Sequence, residues 1–76
     1  MPLIQRFLNC VIYINTRDHN PPHFHVRMNG GRDALVEIGT FKIRSHDVAR
    51  RDINDALTWA SEHCDLLLAK FKEYNP

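Results

Sequence analysis

The sequence predicts an α+β fold: an antiparallel meander of three to four strands followed by two C-terminal helices packed on one face. Three observations carry this. Up to Arg44, stretches such as 23–28 and 41–44 alternate between apolar and polar residues, as strands with one covered face do. Asn29-Gly30-Gly31 supplies the positive-φ positions of a tight hairpin turn. From Ser45 the period lengthens, with Val48, Ile53, Ala56, Leu57, Ala60, Cys64, Leu67, Leu68 and Phe71 three or four apart for the most part, the signature of amphipathic helix. The 76 residues make a single domain, 1–76. A chain of this size buries only about 60% of its extended surface, so its stability margin is thin.

Residues 4–14 read as one strand, firmest from Cys10 onward and apolar on both faces. Asn15 to Pro22 is a polar loop of the length that carries function in many folds. His23 to Met28 is the second strand, and Ala34 to Ile38 the third, with Ala34, Val36 and Ile38 on the core side. Gly39-Thr40 turns the chain into a short fourth strand, Phe41 to Arg44, whose charged residues suit a sheet edge. Ser45 or Asp47 is placed to cap the helix that follows, and Asp52 sits early, where helix N-termini favour acid. One unbroken helix over 48–74 would be roughly 40 Å long at 1.5 Å per residue, too long for such a sheet. A break near Ser61-Glu62-His63 is therefore expected. Trp59, one step off the apolar stripe, reads as a wedge between helix and sheet or as an exposed stacking residue.

Ten Lys/Arg against nine Asp/Glu leave a formal charge of +1, which argues against gripping duplex DNA by charge alone. The charges are unevenly placed. Arg17, Arg27 and Arg32 fall with three histidines in residues 17–32, where Asp18 is the sole acid. Arg50 and Arg51 extend this basic surface or form an ordinary solvated face. Cys10 and Cys64 read as core thiols in a reducing, cytoplasmic setting. With no apolar run approaching 18 residues, a membrane partner is not expected.

Chemistry concentrates in Asp18-His19-Asn20-Pro21-Pro22-His23-Phe24-His25-Val26-Arg27. The prolines make a rigid lead-in. On a strand, Phe24, Val26 and Met28 face one way and His23, His25 and Arg27 the other, about 7 Å apart. Four readings stand side by side. The polar trio is a solvated strand face. Alternatively Arg17, His19, Arg27 and Arg32 contact phosphate or nucleic acid. His19, His23 and His25 could ligate a metal, with a further acidic or thiolate ligand that the sequence does not fix. In the last reading His23 and His25 are catalytic, passing protons in a nuclease or phosphodiesterase. Histidine-triad nucleotide hydrolases also alternate histidines on a strand, but Arg27 stands here at the third position.

The order strand, His-Asn-Pro-Pro-His-Phe-His, Gly turn, strand, helix with Trp-Ala and then His-x-x-Leu-Leu resembles a prokaryotic family of small uncharacterised proteins, domain of unknown function number 4160. Met1-Pro2 with Ile4, Arg6 and Phe7 also fits that family's usual opening. The resemblance puts His19, His23, Phe24 and His25 at signature positions, and Trp59 and His63 at the helical Trp and at the residue separating the terminal helices. Phe71 stands where many members look to have a second Trp. The resemblance implies no settled activity; it implies a neighbouring small gene product as partner, in the manner of a toxin–antitoxin pair. Small ribonuclease toxins with a strand histidine are a looser likeness, since their element order differs.

The functional expectation is a small cytosolic binding module, one half of a toxin–antitoxin-like pair contacting nucleic acid (RNA or DNA) or a partner protein, with a homodimer as a further partner state. The alternatives are a histidine-dependent nuclease or phosphodiesterase and a metal-binding structural protein. The cofactor is left open.

Overall fold

The computed structural model describes residues 2–45 and 47–76; Met1, part of the family-like opening, and His46 lie outside them. Five strands, β1 (Leu3–Arg6), β2 (Cys10–Tyr13), β3 (His23–Met28), β4 (Asp33–Glu37) and β5 (Ile43–Arg44), form one sheet in that order, every neighbour antiparallel. A 3₁₀ turn over Arg50–Ile53 leads into α1 (Asn54–Glu62) and α2 (Cys64–Tyr74). The architecture is the predicted antiparallel meander with two C-terminal helices, plus one strand more than expected.

The additional strand comes from residues 4–14, which do not form one strand. The chain reverses at Phe7–Asn9, where the Phe7 N–H donates to the Cys10 carbonyl at 2.8 Å. Leu8 sits on this turn 94% exposed, so an apolar residue occupies a turn position, where Gly, Pro, Asn, Asp and Ser dominate. The second hairpin is as predicted. Gly31 N–H donates to Met28 O at 2.8 Å, and Gly31 takes φ +92°, a conformation open to glycine without a steric penalty. The expected edge strand shortens to Ile43–Arg44, because Phe41 turns with φ +58°.

Cross-strand register fixes the covered face. Ile12 stands opposite Val26, Phe24 opposite Val36, and Val26 opposite Ala34, and all five are buried. Ala56, Leu57 and Ala60 of α1 and Leu67 and Phe71 of α2 complete this core. The helices part at His63, whose backbone departs from helical values (φ −130°, ψ 30°). Its ring stacks on Trp59, with centroids 4.1 Å apart, and Trp59 meets Phe7 of the first turn edge-on. Trp59 is therefore the half-buried wedge between helix and hairpin.

Neither Ser45 nor Asp47 caps the helical segment. Ala49 holds that position, and its N–H donates to the Asp52 carboxylate at 2.9 Å. Cys10 is buried and Cys64 half-buried, both as free thiols. Burial, and then the charge of Asp55, push the Cys10 thiol up, which keeps it an unreactive core residue. No helix among the described residues is long and apolar enough to cross a membrane.

Candidate functional site

The loop between β2 and β3 reverses at Asn20-Pro21-Pro22 and carries Asp18 back over the start of β3. The end of α2 secures it there. Asn75 accepts a hydrogen bond from the Asp18 N–H through Oδ1 and donates through Nδ2 to Asn15 O (3.0 Å) and Phe71 O (3.1 Å). One side chain thus ties the helix C-terminus to the loop.

Asp18 meets two imidazoles. Its Oδ2 lies 2.7 Å from His23 Nε2 and 3.2 Å from His25 Nε2. These three atoms all lie within 4.8 Å of one another. His23 is only 2% exposed, covered by Phe71 at 5.4 Å between ring centroids, so its expected place on a solvated face is corrected. Alternation does set His23 opposite Phe24, but β3 begins beneath the end of α2, which covers that position too. The neighbour two residues on behaves as the alternation predicts. His25 is half-buried on the uncovered face and stacks on Tyr13, its cross-strand partner, at 5.0 Å and 12°.

The hydrogen bonds of His23 restrict its protonation. Pro21 O can only accept, so the 2.8 Å contact requires a proton on Nδ1. The lone pair of Nε2 then faces a carboxylate oxygen at 2.7 Å. That contact is favourable only with a proton, or a cation in its place, between the two atoms. Burial, the largest influence on Asp18, pushes its carboxyl up. Hydrogen bonds from His25 and His23, the charge of His23 and the His19 N–H together outweigh it, holding the carboxyl below its ordinary value.

The remaining site candidates separate by position. His19, with its side chain 87% exposed, places Nδ1 3.4 Å from the other oxygen of Asp18, Oδ1, and so stands outside the three-atom set. Arg27 pairs with Asp33 at 3.6 Å and lies 5.9 Å over the Tyr13 ring. Arg32 donates to Asp47 O at 2.7 Å. Arg17 is exposed, with φ +59°, and lines a cleft of about 440 Å³ together with Asp18, His19, Asn20 and Tyr74. The site therefore gathers Asp18, His23 and His25, with Arg17 and His19 beside it, and leaves out Arg27 and Arg32.

A family model described as "Domain of unknown function (DUF4160)" matches residues 9–72, most of the chain. The chain belongs to this family. No curated protein and no solved structure matches it. In this DUF4160 domain the matched span contains every residue of the Asp18–His23–His25 cluster. The approach of Asp18 to the two histidines was missed by sequence reading. Its signal was compositional, since it is the lone acid among residues 17–32.

Proposed function

We propose that this DUF4160 protein is a metal-binding protein, with Asp18 Oδ2, His23 Nε2 and His25 Nε2 as ligands to one divalent transition ion. The observation that carries the reading is the orientation of His23. Metal-ligating histidines almost always donate their other ring N–H to a carbonyl, carboxylate or water, and His23 donates Nδ1–H to Pro21 O. Two imidazoles with one carboxylate suit borderline ions such as Zn²⁺, whereas Mg²⁺ and Ca²⁺ prefer all-oxygen shells. Bonds of about 2.0–2.1 Å at tetrahedral angles need ligand atoms roughly 3.3–3.4 Å apart. The 3.2 Å contact is close to that, and the 2.7 Å contact must open by about 0.6–0.7 Å. Three protein ligands in a four-coordinate shell admit one ligand from outside, as in catalytic rather than closed structural sites. The free thiols of Cys10 and Cys64 support a cytosolic setting.

Thermal unfolding with and without Zn²⁺ tests the proposal. A ligand at a hundredfold its Kd stabilises by about 2.7 kcal/mol, which for so small a domain raises Tm by roughly 10–20 °C. An unchanged Tm at millimolar Zn²⁺ would count against it.

A further inference from the structure

We propose that the cleft beside the metal centre takes a small organic phosphate, one phosphoryl oxygen of which completes the shell of the ion held by Asp18, His23 and His25. The inference rests on the metal reading. Two residues join cleft and centre. Asp18 lines the cleft while giving Oδ2 to the histidines, and Phe71 lines it while packing on the His23 ring. The volume, about 440 Å³, lies within the range of small-ligand pockets, roughly 300–1,000 Å³.

The chemistry of the walls selects the ligand class. On one side the loop offers the Arg17 guanidinium, the exposed His19 imidazole and Asn20, all capable of donating to anionic oxygens. Among the described residues Arg17 forms no ion pair, so its charge is uncommitted. Asp18 is the one acidic side chain on the lining, and a bound divalent ion would more than offset it. Across from the loop, Phe71, Tyr74 and Pro76 give an apolar and aromatic wall. Anion donors at one side and a ring-sized apolar surface at the other describe a phosphate attached to an aromatic or heterocyclic group. Bare phosphate would leave that wall unused, and a neutral aromatic would leave Arg17 and the ion unused.

The test uses the full chain loaded with Co²⁺, whose visible absorption reports its ligands. Phenyl phosphate is the probe, with inorganic phosphate, phenol and a short RNA oligonucleotide as separate arms. Phenyl phosphate should perturb the spectrum saturably, more tightly than inorganic phosphate, and phenol should not. Arg17→Gln, an exposed change that removes the charge and keeps a polar side chain, should bind Co²⁺ as wild type does while losing about tenfold or more in phenyl phosphate affinity. Co²⁺ bound with a spectrum indifferent to phenyl phosphate would overturn this inference and leave the metal reading standing. A response to RNA alone would overturn the small-ligand assignment. Failure to bind Co²⁺ at all would remove both.

Discussion

His23 Nε2 stands 2.7 Å from Asp18 Oδ2, in a ring that is 2% exposed and already gives its other N–H to Pro21. This pairing makes His23 structural in addition to the ligating role proposed for it. His23→Ala leaves the half-buried Asp18 carboxylate without its nearest partner and opens space against Phe71. We expect a loss of about 2–3 kcal/mol, a large part of the roughly 5 kcal/mol at the low end for a folded domain. His25→Ala, on the uncovered face, should cost about 1 kcal/mol or less. Urea unfolding of the two variants checks the order, and equal losses would contradict it.

Asp18 also gives the fold a pH signature. Its carboxyl is lower in the folded protein than its ordinary value, because hydrogen bonds and the charge of His23 outweigh burial. A depressed carboxyl contributes stability that is fully present above the unfolded pKa, about 3.9, and is lost as pH falls through the lower folded value. The stability gap between wild type and Asp18→Asn should therefore shrink as pH falls below about 4. A gap that widens as pH falls below about 4 would show the sign to be wrong.

The helix break makes a contrast between neighbouring leucines. Leu67 is fully buried, Leu68 half-buried and Leu66 exposed. Leu67→Ala should cost about 2–5 kcal/mol and Leu66→Ala less than about 0.5 kcal/mol, with Leu68→Ala between them. Denaturant midpoints of the three proteins decide this.

How much of this was legible in the sequence depends on where a residue's environment is set. Local signals were reliable. Gly31 marked the second hairpin, the alternation of Phe24 and Val26 marked the covered face, and the length of the apolar stripe demanded a break near His63. The first hairpin was hidden because its turn, Phe7-Leu8-Asn9, has no glycine or proline and interrupts a run apolar on both sides. The burial of His23 was invisible for a different reason. It is imposed by Phe71, 48 positions away, and no periodicity within β3 encodes what the end of α2 will cover. Asp18 joins the histidines only through the reversal at Asn20-Pro21-Pro22 and the grip of Asn75, 57 residues distant.

Asn75 is the positioning residue in this scheme, since it holds the Asp18 loop without touching the ligand atoms. Asn75→Ala should weaken Co²⁺ binding about 10- to 100-fold, the usual effect of removing an outer-shell partner, while the far-ultraviolet spectrum stays that of the native fold. Co²⁺ affinity equal to wild type would show that the loop is held by other contacts.

In the proposed centre Asp18, rather than the exposed His19, joins His23 and His25 around one ion. Calorimetric titration of Zn²⁺ into wild type, Asp18→Asn and His19→Ala at neutral pH tests it most directly. One ion per chain is expected for wild type, little change for His19→Ala, and affinity reduced at least 10- to 100-fold for Asp18→Asn. Equal losses in the two variants, or no saturable heat with wild type, would contradict it.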